Sequence, residues 1–152
     1  GRSVTEIAFY HLTKSSLEAA LPKLLEKTLA TGKRAVVVAG STERVEALNS
    51  LLWTYKQGSW LPHGGSKDGN AEDQPIWLAI DDETPNGATF LFLTDGAACE
   101  RVGGFERCFE LFDGNDPAAV EAARKRWKAY KETGHELTYW QQTDRGGWEK
   151  KG

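Results

Sequence analysis

The sequence predicts an α/β fold in which helices cover a largely parallel sheet. Three observations carry that expectation. Strand-like apolar stretches alternate with helix-period segments along the chain. One of them, Arg34–Ala39 (RAVVVA), is an unbroken apolar run of the kind found in strands buried on both faces. Helix-start and helix-stop residues stand where the segments between strands begin and end.

Thr5–Leu12 (TEIAFYHL) alternates weakly, carries Ile7, Phe9 and Tyr10, and reads as the first strand. Ser15 and Glu18 make a capping box for a helix with Leu17, Leu21, Leu24, Leu25, Thr28 and Leu29 at helical spacing. Pro22 falls inside that pattern, so the helix is expected to kink there or to split into a short turn and a main helix starting near Pro22. Gly32 is the stop, placed where a left-handed residue costs least. After the RAVVVA strand, Ser41 or Thr42 caps a second helix with Val45, Leu48 and Leu52 on one side and Trp53 near its end. Lys56–Pro75 then reads as one long polar loop.

Ile76–Ile80 (IWLAI) and Thr89–Thr94 (TFLFLT) read as two strands around a turn with Pro85, Asn86 and Gly87, and Arg107–Phe112 (RCFELF) as a fifth strand. Asp116 and Pro117 supply the N-cap and first-position proline of a last helix, Pro117–Glu132, stopped by Gly134. His135–Gly152 shows no periodicity and is expected to fray at its end. One folded domain, 4–141, is therefore expected, with residues 1–3 an expression scar and 142–152 a flexible tail.

Bulk properties narrow the function classes. At 152 residues the chain can bury a sizeable single core. No apolar run approaches the roughly 20 residues of a membrane span, and no signal peptide opens the chain, so a cytoplasmic location without membrane contact is expected. Cys99 and Cys108 fit neither a redox C-x-x-C motif nor a zinc site, and reduced thiols are expected.

Motifs that look catalytic fail on inspection. Gly32-Lys33 would need glycine at 27 and a hydroxyl at 34 to make a phosphate-binding loop, but Lys27 and Arg34 stand there, at the wrong end of a helix dipole. The acids that end IWLAIDDE, namely Asp81, Asp82 and Glu83, have no phosphate loop to pair with and read as a solvated turn. Gly64, Gly65 and Gly69 do not open a helix after a strand, so they make no dinucleotide fingerprint. His11, His63 and His135 are scattered, and no serine sits in G-x-S-x-G. No catalytic residue, metal site or cofactor is expected.

The most suggestive stretch is Ala123–Lys131 (ARKRWKAYK), a concentration of positive charge in a chain of formal net charge −3 and sequence pI near 5.7. At about 100° per residue, Val120, Ala123, Trp127 and Tyr130 form the stripe that packs on the sheet. Arg124, Lys128 and Lys131 form a row beside it, while Lys125 and Arg126 point elsewhere. Three occupants of that row stand open: solvent alone; a nucleic acid, disfavoured by the acidic balance of the domain; and a ligand both acidic and apolar, held by charge-assisted bonds beside a hydrophobic pocket.

EIAFYHL, TGKRAVVVA, LLWTYKQGSWLPHG and RKRWKAYK before a glycine occur in the order and spacing of the chi subunit of bacterial DNA polymerase III holoenzyme, which the chain resembles from Thr5 to Trp140. The resemblance implies a single-domain Rossmann-like three-layer fold without catalytic activity of its own. It implies an accessory of the clamp loader in DNA replication, joined through the psi subunit to single-stranded-DNA-binding protein, whose C-terminal tail is acidic and ends in an apolar residue. Arg124 matches the family's tail-binding arginine and Lys128 its neighbouring lysine. Trp127 stands where the family has an aromatic, and Lys131 where an arginine is common. Val120 stands where a further basic residue can occur. Trp53, Trp60, Leu61 and Pro62 resemble the psi-facing surface. DNA would be met only indirectly. The alternatives are a direct single-strand binder with Trp127 and Trp140 as stacking platforms, or a degenerate Rossmann-like nucleotide-binding enzyme using Asp81 and Asp82.

Overall fold

The computed structural model describes residues 5–13, 17–54, 63–65, 75–80, 87–94, 105–145 and 147–151. The described residues run β1 (Glu6–Leu12), α1 (Leu17–Ala30), β2 (Ala35–Val38), α2 (Thr42–Thr54), β3 (His63–Gly65) and β4 (Ile76–Ala79). They continue with β5 (Phe90–Leu93), β6 (Arg107–Asp113), α3 (Pro117–Glu132), β7 (Glu136–Gln142) and β8 (Trp148–Lys150). The eight strands make one sheet in the order β3-β4-β2-β5-β6-β1-β7-β8. Every neighbouring pair is parallel except β7 with β8.

The period of two along each strand divides the apolar side chains between two cores. On one face, Ala8 and Tyr10 of β1, Val37 of β2 and Phe109 and Leu111 of β6 meet Leu21, Leu24 and Leu25 of α1 and Leu48 and Leu52 of α2. On the other, Ile7 and Phe9, Val36 and Val38, and Cys108 and Phe112 meet Ala123 of α3, with Val120, Trp127 and Tyr130 packed around it. Both faces of the central strands are covered, which is why β2, β4 and β5 read as unbroken apolar runs.

The start and stop signals act as expected. Ser41 Oγ accepts from Arg44 N at 3.1 Å and caps α2, while Gly32 and Gly134 end their helices at φ 80° and 86°. Ser15 lies outside the described residues.

Four expectations are corrected. Helix α1 is neither split nor restarted at Pro22, which is buried inside one helix from Leu17 to Ala30. Pro22 has no N–H to give the Glu18 carbonyl, and the helix continues through it with the ring buried. The Lys56–Pro75 loop contains β3, which pairs with β4. The strands β4 and β5 are not neighbours but flank β2 on either side, each parallel to it. The segment after His135 carries two strands: β7 lies beside β1, and β8 returns antiparallel to it within the expected tail. Leu137 and Tyr139 of β7 pack with one core, and Trp140 and β8's Trp148 with the other. Apolar side chains therefore alternate faces without a polar partner set, and the strand period is hidden.

Candidate functional site

Helix α3 is built to present one edge. Asp116, at φ −103° and ψ 110°, caps it by accepting from Ala118 N at 3.0 Å, and Pro117 opens the first turn. The stripe falls as the spacing predicts: Ala123 is buried, and Val120, Trp127 and Tyr130 pack half-buried against the sheet. Trp127 meets Phe9 edge-on, with ring centroids 5.3 Å apart.

Arg126 and Tyr130 tie the helix to β6. Arg126 Nε donates to Glu110 Oε2 of β6 at 2.8 Å, and the Tyr130 hydroxyl donates to the same oxygen at 3.0 Å. On the opposite side, the Arg124 charge acts on the Tyr139 phenol of β7. Because β6 and β7 are the two neighbours of β1, α3 lies along β1 with Arg126 reaching one way and Arg124 the other. Lys128 and Lys131 share the Arg124 side by helical spacing, and all three cations are exposed. The basic row therefore borders β7.

Beside that row runs an aromatic seam. Trp127 and Tyr139 lie edge to face with centroids 6.0 Å apart, and the Tyr139 hydroxyl is hydrogen-bonded to His11 Nδ1 of β1. Tyr139 also tilts against Phe112, with centroids 6.3 Å apart. Burial raises the pKa of the Tyr139 phenol, with Arg124 opposing the shift, so at neutral pH the group is a protonated donor. His11 is wedged against Phe112 at 5.1 Å and beneath Gly114. A Cβ on Gly114 would stand 1.8 Å from the His11 ring and 2.7 Å from the Leu12 carbonyl oxygen.

Electrostatics under the helix differ from those at its edge. The Glu110 side chain is 1% exposed and that of Arg126 16%. Burial raises the Glu110 pKa, against the Arg126 charge and the bonds from Tyr130 and Arg126. Burial and the Glu110 carboxylate together push the Tyr130 phenol well above its ordinary range.

The crevice where open α/β sheets take ligands lies beyond the strand ends where successive helices leave on opposite faces. Here that point falls between β1, followed by α1, and β6, followed by α3. Among the described residues there, the ends of β1 and β6 pack on each other. Gly114 N donates to Leu12 O at 2.7 Å, Asn115 Nδ2 donates to Thr13 O at 3.0 Å, and the His11 ring occupies the space over Gly114.

Of the residues singled out in the sequence, Arg124, Trp127, Lys128 and Lys131 come together on one edge of α3, with Trp127 half-buried in the seam. Trp127 and Trp140 belong to the cores on opposite faces of the sheet, so one strand of nucleic acid could not stack on both without crossing the sheet edge. Trp53 lies in the last turn of α2, but its side chain, together with Trp60, Leu61, Pro62, Asp81, Asp82 and Glu83, lies outside the described residues. His135 Nδ1 accepts from Thr5 N at 3.2 Å, a structural role. Among the described residues no group of three or more His, Cys, Asp or Glu side chains is arranged to hold a metal ion.

Sequence reasoning missed Glu110–Arg126–Tyr130 and His11–Tyr139. The first had a readable signal, since an acid inside the apolar run RCFELF demands a buried cation. The second had none, because His11 and Tyr139 meet only through the pairing of β1 with β7.

The family model described as "DNA polymerase III chi subunit, HolC" matches residues 4–138. The chain is 28% identical over 108 residues to a protein of Rickettsia prowazekii (strain Madrid E) named "Probable DNA polymerase III subunit chi", a match covering 69% of this chain and 66% of that protein. It is 26% identical over 137 residues to "DNA polymerase III subunit chi" of Pseudomonas aeruginosa, covering 88% and 94%.

Proposed function

This chain belongs to the DNA polymerase III chi-subunit family, and from that premise we propose that it is a non-catalytic accessory subunit linking the clamp loader to single-stranded-DNA-binding protein. In that role the edge of α3 grips the acidic, apolar-ended C-terminal tail of the binding protein. The other surface, around Trp53, Trp60, Leu61 and Pro62, meets psi or another loader component in the cytoplasm.

One observation supports the docking most directly: Arg124, Lys128 and Lys131 stand exposed in a single row alongside the half-buried Trp127 and Tyr139. A ligand with several carboxylates and a terminal hydrophobe would meet both features at once. Exposed pairs contribute about 0–1 kcal/mol each, so the cations supply specificity and association rate, and the aromatic seam must supply the anchor. A dissociation constant in the micromolar range, about −8 kcal/mol, is the expected scale. The close packing of His11 on the Gly114 backbone, at the strand ends between β1 and β6, supports the non-catalytic assignment.

Fluorescence titration of the full chain with an acidic peptide ending in phenylalanine tests the docking. Saturable binding that weakens with salt and is mostly lost in Arg124→Ala is the expected result. Undiminished binding in that variant would place the site elsewhere. Binding of an oligonucleotide in the absence of any partner would favour a direct nucleic-acid role.

A further inference from the structure

We propose that β8 is a contact edge for a second copy of this chain, the two β8 strands pairing antiparallel across a symmetry axis at Glu149. The ladder inside one copy shows which backbone groups are open to this. Lys151 N donates to Tyr139 O at 2.7 Å and Thr143 N donates to Gly147 O at 2.9 Å. Between them, Trp140 stands opposite Lys150 and Gln142 opposite Trp148. Bonded and non-bonded pairs alternate along an antiparallel ladder, so Gly147, Glu149 and Lys151 bond inward to β7. Trp148 and Lys150 turn their N–H and carbonyl groups outward, where β8 ends the sheet and no described strand meets them.

One register satisfies all of those groups within β8. With Glu149 on the axis, Trp148 exchanges both bonds with the partner's Lys150, and Lys150 does the same with the partner's Trp148. A shift to the next bonding register would match Trp148 or Lys150 with its own copy and carry the other beyond β8. Trp148 and Lys150 project to one face of the sheet, so each indole comes beside the partner's ammonium, a cation–π pairing. A lysine on an edge strand ordinarily keeps other strands away, and the indole opposite removes that objection here. On the other face Glu149 meets the partner's Glu149, a like-charge pair that weakens the contact, while each carboxylate keeps its own Lys151 at 3.3 Å. The edge is rigid before it pairs, because the Trp148 ring is held edge-on to Tyr10 with centroids 4.9 Å apart. The strand stands beyond the residues 4–138 that the family model matches, and the partner that always accompanies it is the chain itself.

Sedimentation equilibrium of the full chain, from about 10 µM to about 1 mM, should show monomer and dimer with a dissociation constant on the order of 100 µM, as suits so short an interface. Lys150→Pro removes an outward N–H and no bond to β7, so it should weaken the dimer about tenfold while thermal unfolding stays near the wild type. Glu149→Gln relieves the facing carboxylates and should tighten the dimer about two- to fivefold. If Lys150→Pro unfolds early, Glu149→Gln decides alone. A weaker dimer in Glu149→Gln overturns the pairing, since the carboxylate would then be facing a cation. A single monomeric species over the whole range, or a dimer that neither variant moves, overturns it as well. Acidic-peptide binding should be the same in Lys150→Pro as in the wild type, so this contact and the docking at α3 stand or fall separately.

Discussion

Arg126 Nε lies 2.8 Å from Glu110 Oε2 and ties α3 to β6 through a carboxylate that is almost wholly out of water. That bond sets the roll of α3 on the sheet. With Arg126 committed to β6, the Arg124–Lys128–Lys131 row is turned toward β7. A pair buried under the helix thereby decides where the exposed charges point.

Arg126→Ala should destabilise the fold by about 3 kcal/mol, because it leaves the Glu110 carboxylate buried without its cation. Glu110→Gln should cost less, since the amide oxygen still accepts from Arg126 and Tyr130. Urea unfolding of the two single variants and the double variant measures the coupling. A coupling below about 0.5 kcal/mol would mean that the pair does not hold the helix.

Stability should carry a Glu110 signature with pH. Its pKa is raised in the fold by burial, so the folded state holds the proton more tightly than the unfolded chain. The contribution is therefore fullest at acid pH and is lost as pH rises from the ordinary carboxylate range through the raised value. The stability of the wild type minus that of Glu110→Gln should therefore fall as pH rises above the ordinary carboxylate range. A flat difference would contradict the raised value.

Gly114 and Gly32 should respond differently to alanine. At Gly114 the added Cβ meets the His11 ring at 1.8 Å and the Leu12 carbonyl at 2.7 Å, and a loss of about 2–3 kcal/mol is expected from forced backbone movement. At Gly32 nothing lies within 4 Å, and only the φ of 80° is strained, so about 1 kcal/mol is expected. Thermal unfolding of the two variants checks the order. His11→Ala should recover only part of the Gly114→Ala loss, because the Leu12 carbonyl remains in the way.

For the peptide interaction, Lys128→Ala and Lys131→Ala should each weaken binding about two- to fivefold, as exposed charges do. Lys131→Arg should tighten it, because a guanidinium offers a paired donor geometry that an ammonium lacks. Titrations at about 0.05 and 0.5 M salt should show the variants converging on the wild type as screening removes the difference. Persistence of the full difference at high salt would mean that these lysines act through packing.

Much of the fold was readable because local chemistry and burial agree in it. The RAVVVA run, the Ser41 and Asp116 caps and the stops at Gly32 and Gly134 act through their own backbone, and the structure follows them. The α3 stripe was equally legible, since helical geometry alone places Ala123 and Trp127 on one side and Arg124 and Lys128 beside them.

What resisted reading depends on neighbours far along the chain. Pro22 stays inside an unbroken α1 with its ring buried, which no local pattern announces. The strands β7 and β8 exist because β1 offers an open parallel edge, which no local pattern in Glu136–Lys150 announces. The amino-acid order by itself determined the helices, the central strands and the basic row, because those follow from bonds within a few residues. Only the tertiary structure decided which way the row faces and that His11 and Tyr139 meet. These follow from the order of β6, β1 and β7 and from the Glu110–Arg126 pair, contacts that form only when distant segments pack.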